Sequence, residues 1–230
     1  MLSSQGKLIV FEGGDGSGKT VQSSMLRDFF SENKLSHAYI DFPDYESHYG
    51  QMIGAFLRGE YGSIDQVSPY LAGLLFALDR AEKKTEIDTL LQENKYIVAN
   101  RYVTSNMAHQ GSKITDETAR TAYLDWLAKL EYQHNKLPKE DIVVYLYVPW
   151  QVAAELTKQK QDRSYLNGNK TDIQEQDVNH RQASEEMYKH LAKINDNWIT
   201  IDCTEHGTIL SKSTIHEQVL TALRQHEIIS

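Results

Sequence analysis

Short apolar runs separated by longer stretches of helical period set the framework of this chain. Lys7–Glu12, His37–Phe42, Tyr96–Asn100, Asp141–Val148 and Trp198–Asp202 each have the length of a strand. LIVF in the first and IVVYLYV in the fourth are nearly unbroken, the pattern of strands buried on both faces of a parallel sheet. Between the runs, Lys19–Asn33, Ser68–Asn94, Asp116–Glu131, Val152–Gln161 and Asp177–Ile194 predict helices, and Pro69 stands where a first helical turn accepts proline. The alternation predicts an α/β fold of three layers, a parallel sheet flanked by helices. Within Ser68–Asn94, Leu71, Leu74, Leu75 and Leu78 recur at i, i+3, i+4, i+7 and predict a core-facing stripe. Lys158–Gln176 is polar and lacks either period, and a connection of that length in a compact domain is expected to be a lid.

Composition narrows the classes. The 230 residues carry 24 Lys and Arg against 32 Asp and Glu, a net charge of −8, which argues against sheathing a nucleic-acid backbone. With 40% hydrophobic residues, no repeat and no low-complexity block, residues 1–230 are expected to form one domain that includes the lid at about 158–176. One cysteine, Cys203, forms no internal disulfide and suits a reducing compartment. The opening MLSSQGKLIVF lacks the pattern of a signal peptide, and no apolar run nears the ~20 residues that span a bilayer. A cytoplasmic protein without membrane association is the expectation.

Gly13, Gly14, Asp15, Gly16, Ser17, Gly18, Lys19 and Thr20 match G-x-x-x-x-G-K-[ST], entered by a strand and left by a helix as that motif requires. Glycines let successive N–H groups curl around a phosphate, the helix N-terminus adds partial positive charge, and Lys19 reaches the outer phosphates. Thr20 is placed to ligate Mg²⁺ through its hydroxyl. On the helix from Ser68, Phe76 and Arg80 lie one turn apart and off the leucine stripe. A ring beside a fork of donors suits a planar base, although a second packing contact plus a surface salt bridge accounts for the pair equally well. Arg101 directly follows the third strand, at the strand ends where open α/β sheets bind ligands. Tyr45 follows the second strand in the same way. Tyr45 and Arg101 both suit a phosphate already present on an acceptor.

The stretches FEGGDGSGKT, FPDY, LLFALDRAEK, NRYVTSNMAHQG and LPKEDIVVYLYV, in this order, resemble thymidylate kinases over most of the chain. The resemblance implies a P-loop kinase fold with a five-stranded parallel sheet, ATP-dependent phosphorylation of thymidine monophosphate, Mg²⁺, and a homodimer. It also implies roles. Asp15 would meet the acceptor's 3′-hydroxyl and contribute to the metal site, and Phe76 would stack on thymine with Arg80 at the base edge. Phe42, Tyr45 and Tyr165 would flank the nucleotide, Arg101 would bind its phosphate, and Ser105 and Asn106 would approach the base. His109 stands where an aromatic residue usually excludes ribose. The phosphate loop carries no arginine, so catalytic cations would come from the lid, where Lys158, Lys160 and Arg163 stand. Asn100 replaces the family's acidic residue and cannot supply its charge. Two rivals remain: a deoxynucleoside kinase of this fold, with Glu12 as its base, and a nucleotide-binding protein with catalysis impaired by Asn100.

Overall fold

A five-stranded, all-parallel sheet forms the middle layer. The computed structural model describes residues 6–158, 164–166 and 171–229. In chain order the elements are β1 (Lys7–Glu12), α1 (Lys19–Glu32), β2 (His37–Asp41), α2 (His48–Leu57), α3 (Pro69–Glu82), α4 (Lys84–Gln92) and β3 (Tyr96–Asn100). Next come α5 (Val103–Gly111), α6 (Glu117–Ala128), β4 (Ile142–Tyr147), α7 (Trp150–Lys158), α8 (Ile173–Gln176) and α9 (Val178–Ile194). The chain continues through β5 (Trp198–Asp202), a short hairpin of β6 (Thr204–Glu205) and β7 (Thr208–Ile209), and α10 (Lys212–Gln225). The sheet order is β2-β3-β1-β4-β5. The strands that the apolar runs predict are all present, with ends shifted by at most one residue.

Both faces of the sheet are covered, which is why its strands read as continuous apolar runs. Alternate residues of β1 serve opposite layers. Ile9 and Phe11 pack with Leu26 and Phe30 of α1 and with Val219 and Leu223 of α10. Leu8 and Val10 pack with Ile87 of α4 and with Tyr188 and Leu191 of α9. Each of these side chains is sealed from water, worth about 1.5–3 kcal/mol apiece for the larger aliphatic ones.

The helices start on local signals. Ser47 accepts from Gly50 N to cap α2, Ser68 caps α3 with Pro69 in its first turn, and Asp116 caps α6. The stretch Ser68–Asn94 is two helices that meet at Lys83, and α6 runs on into a wider π-type turn over Lys129–His134.

The leucine stripe of α3 is a correction. Leu71 is 66% and Leu74 38% exposed, whereas Ala72, Gly73, Ala77 and Arg80 are buried. Small residues let α3 approach α5 and α6: a Cβ on Gly73 would stand 2.6 Å from the Tyr123 hydroxyl. Close approach, rather than bulk, decides which face turns inward.

Helix α2 is pressed just as closely onto the loop after β2. A Cβ on Gly50 would fall 1.7 Å from the Asp44 carbonyl oxygen. Gly50→Ala is expected to destabilise the fold by about 1–3 kcal/mol, read as a lower thermal midpoint. An unchanged midpoint would show that this contact is soft.

Candidate active site

Segments that follow β1, β2 and β3 converge on one cavity of about 880 Å³. The first is the glycine loop. Gly13 and Gly16 hold φ of 145° and 93°, and a Cβ on either would meet a carbonyl oxygen, Leu146 at 2.6 Å or Ala153 at 2.3 Å. Only glycine fits there, so the loop curls tightly and delivers the first turn of α1 to the cavity. The Lys19 ammonium donates to the Gly13 and Gly14 carbonyls at 2.8 and 2.9 Å.

Arg101 leaves β3 in the left-handed region with φ of 67°, its N–H bonded to Phe11 O at 3.0 Å. A non-glycine residue there is held against a cost of about 1–3 kcal/mol. Buried Glu12 anchors the adjoining start of α5. Its carboxylate accepts from Tyr102 N, the Thr104 and Ser105 hydroxyls and the Tyr188 hydroxyl, at 3.1, 2.7, 2.6 and 2.9 Å. The Arg101 guanidinium is thereby aimed at the Asp15 carboxylate, with which it forms an ion pair. Burial works against its positive charge, but Asp15 together with Tyr188, Glu12 and Tyr45 outweighs it and holds its pKa above the usual arginine range.

Arg101 Nη1 also lies 3.1 Å from His109 Nε2. Since a guanidinium can only donate, Nε2 is an acceptor and the imidazole proton sits on Nδ1, facing His180 Nε2 at 3.4 Å. Burial, reinforced by Arg101, keeps His109 well below the usual histidine range; burial and Lys113 take His180 down to about 4. The pair is therefore neutral at physiological pH, and neither imidazole adds positive charge beside Arg101.

At the ends of β2 and β3, Asn100 Nδ2 donates to Asp41 Oδ1 at 2.9 Å and to Thr20 Oγ1 at 3.3 Å. Burial in the cleft pushes the Asp41 carboxyl up to about 6, against the pull of Arg101 and the Asn100 bond. Asn100 Oδ1 is buried without a hydrogen-bond partner among the described residues.

The far end of the cavity is aromatic and amide-rich. Phe76 stands edge-on to Phe56 at 6.2 Å, and Tyr45 stacks on Tyr165 with ring centres 4.1 Å apart and planes 5° from parallel. Asn106 donates to Gly73 O at 2.9 Å while, among the described residues, its Oδ1 is buried without a partner, as are both polar atoms of the Gln110 amide. The wall on the other side of the phosphate loop comes from Ile209, Leu210 and Ile215.

A model of the thymidylate kinase family matches residues 11–215. The chain belongs to the thymidylate kinase family. It is 32% identical to the Plasmodium falciparum thymidylate kinase over 215 residues, covering 91% of this chain and 90% of that one. It is likewise 32% identical to the Mycobacterium tuberculosis thymidylate kinase over 190 residues, covering 80% and 85%. The solved thymidylate kinase of Candida albicans superposes with a TM-score of 0.73 at 24% identity, over 97% of this chain and 93% of that one, which supports the fold. As in other thymidylate kinases, this chain is a phosphotransferase built on a nucleotide-binding loop.

Most residues singled out in the sequence meet at the cavity: Asp15, Gly16, Ser17, Gly18, Lys19, Thr20, Phe42, Tyr45, Phe76, Arg80, Arg101, Ser105, Asn106, His109 and Tyr165 all line it. Gly13 and Gly14 shape the loop from behind. Lys160 and Arg163 lie outside the described residues, and Lys158 ends α7. Arg80 is a correction in part. It is 2% exposed, and its Nε and Nη2 edge grips Glu131, with Nε 3.1 Å from both carboxylate oxygens. Only its Nη1 side has no bond to Glu131. Burial opposes its charge, yet Glu131 raises its pKa. Arg80 thus lines the cavity and also forms a salt bridge, which is buried rather than on the surface.

Glu131, His180 and Asp41 carry no spacing signal that marks them, because each acquires its role only through a partner distant in sequence. For Arg80 and Glu131, Glu131→Ala is expected to cost about 3–5 kcal/mol by denaturant unfolding, since it strands a buried guanidinium. Replacing both, as Arg80→Met with Glu131→Leu, recovers most of that loss. A double variant no more stable than Glu131→Ala would refute the pairing as the cause.

Proposed function

We propose that the chain transfers the γ-phosphoryl group of ATP to thymidine monophosphate, giving the diphosphate. The observation that carries this reading is the continuity of one cavity from the phosphate loop, past Arg101, to a pocket lined by Phe76, Asn106 and Gln110. A pyrimidine whose ring N–H lies between two carbonyls needs an aromatic face, an acceptor and donors. Phe76 offers the face, and Asn106 Oδ1 and the Gln110 amide offer buried polar atoms without a hydrogen-bond partner among the described residues. Each such group costs about 1–3 kcal/mol while unbonded, a cost that the base offsets on binding.

In this reading, the loop amides and Lys19 hold the β- and γ-phosphates, and Arg101 lies between donor and acceptor phosphates. Asp15 approaches the acceptor sugar, which packs toward His109, while Phe42, Tyr45 and Tyr165 flank the acceptor. Arg163 of the lid would close over the donor. The moving group is loose and spreads charge over its equatorial oxygens, so aligned donors and positive charge suffice and no general base is assigned.

Magnesium fits at Thr20. Its hydroxyl is a hard oxygen donor at the start of α1, and the buried Oδ1 of Asn100, whose Nδ2 meets that hydroxyl, has no hydrogen-bond partner among the described residues. Bound there, the ion would add positive charge at the β- and γ-phosphate oxygens. Asp15, the other expected ligand, shares its carboxylate with Arg101.

The deoxynucleoside kinase alternative is not favoured. It requires Glu12 as a base, and that carboxylate is wholly buried, holds four donors and stays out of the cavity. Among the described residues no helix is long and apolar enough to cross a membrane. The buried free thiol of Cys203 supports a reducing, cytoplasmic setting. Residues 1–230 are read as one kinase unit with its lid at about 158–176.

A homodimer is supported by the exposed face of α3, where Tyr70, Leu71 and Leu74 are 41%, 66% and 38% exposed. Leu71→Glu with Leu74→Glu is expected to convert a dimer to a monomer in sedimentation. A dimer that survives both charges places the subunit contact elsewhere.

The activity is tested by turnover of ATP with dTMP, dUMP, dGMP and thymidine in parallel. Fastest turnover is expected with dTMP and none with thymidine, and Lys19→Ala is expected to abolish transfer while dTMP still binds by calorimetry. Preferred turnover of thymidine would overturn the reading.

A further inference from the structure

We propose that Asp41 is the carboxylate that holds the magnesium ion of the donor nucleotide in this chain, positioned by Asn100 and acting beside Thr20. The inference rests on the reading of the cleft as a site for ATP with magnesium. Asp41 and Asn100 are register partners at the carboxyl ends of β2 and β3. Asn100 bridges two oxygen groups: its Nδ2 meets Asp41 Oδ1 at 2.9 Å and Thr20 Oγ1 at 3.3 Å. An ionised carboxylate only accepts, so Asp41 fixes which way the amide faces. That orientation leaves Asn100 Oδ1, in a residue 6% exposed, buried without a hydrogen bond among the described residues.

Asn100 contributes no charge, and the other carboxylates that line the cavity are engaged. Asp15 pairs with Arg101. Asp172 caps α8 and accepts from the Tyr165 hydroxyl. Asp41 instead meets a neutral amide and stands open to the cavity, where Lys19 and Thr20 also face. Magnesium bound with phosphates takes one or two carboxylates and keeps several waters, so a single carboxylate beside the Thr20 hydroxyl is an adequate protein share. Asn100 is a positioning residue here: it ties the carboxylate of β2 to the hydroxyl of α1 and adds no charge of its own.

The test uses Mn²⁺ as a spin probe, titrated by electron paramagnetic resonance into the full chain saturated with the β,γ-imido analogue of ATP. Asp41→Asn, which keeps the shape of the side chain, is expected to weaken Mn²⁺ binding tenfold or more. Affinity for the metal-free analogue is expected to hold or improve, since a negative charge near the phosphates is gone. The exchange variant, Asp41→Asn with Asn100→Asp, moves the carboxylate one strand across and is expected to return Mn²⁺ affinity to within about threefold, well inside the tenfold loss. Mn²⁺ affinity indifferent to Asp41→Asn overturns the inference, and so does an exchange variant as weak as Asp41→Asn. Analogue binding without metal separates the two claims. If the unaltered chain binds no analogue, the reading of the cleft fails and takes this inference with it; if it binds and Mn²⁺ ignores Asp41, this inference fails alone.

Discussion

The pairing of β1 with β3 governs the site. From Lys7 against Tyr96 to Phe11 against Asn100, five residues run in parallel register, so the chain leaves both strands at the same edge. One exit becomes the glycine loop and the other becomes Arg101, whose N–H still reaches back to Phe11 O. A phosphate cradle and a guanidinium are thereby brought together although more than eighty residues separate them in sequence. Strand β2 extends the same edge and adds Asp41 beside Asn100. A shift of one residue in either pairing would turn the side chains at these strand ends to the opposite face, and sealed faces on both sides of the sheet forbid it.

Three acidic side chains make this edge rigid in different ways. Glu12 is consumed by four donors, so it stiffens the start of α5 instead of facing ligand. Glu131 fixes Arg80 in the wall of the cavity. Asp15 holds Arg101 in reach of the loop that cradles phosphate. Two cations, Arg80 buried and Arg101 partly buried, are in this way given fixed positions before any nucleotide arrives. The ordering entropy of two long side chains is spent during folding, and oriented positive charge is what a loose phosphoryl transition state requires.

Much of this architecture was legible in the sequence. Strands covered on both faces lose the alternation that marks a half-exposed strand, and LIVF and IVVYLYV betray their burial by that loss. The phosphate loop was legible because its geometry admits so few residue types, as the contacts that a Cβ on Gly13 or Gly16 would make demonstrate. The face of α3 was not. Its leucines have the right period, but the inward face is chosen by the close approach of Ala72, Gly73 and Ala77 to neighbouring helices, and small residues weigh little in a hydrophobic pattern. The helices α2, α5 and α10 escaped because their apolar periodicity is short or mixed with buried polar residues such as Asn106, His109 and Gln110. Partnerships such as Arg80 with Glu131, or His109 with His180, leave no local trace, since each joins residues from different helices.

The histidine pair bears on the proposed placement of Arg101 between two phosphates. A cationic imidazole beside Arg101 would compete for anionic oxygens and draw the acceptor away from the phosphate loop. Burial removes that competitor, and the proton left on His109 Nδ1 points at His180 rather than at the cavity. His109 Nε2 then accepts from Arg101 Nη1, while Asp15 takes Nη2. The guanidinium is held at two of its nitrogens by groups of different strength, a neutral acceptor and a carboxylate. An incoming phosphate displaces the neutral bond at less cost than the ion pair, since hydrogen bonds to charged partners are about twice as strong. The side toward His109 is therefore the side on which Arg101 yields first.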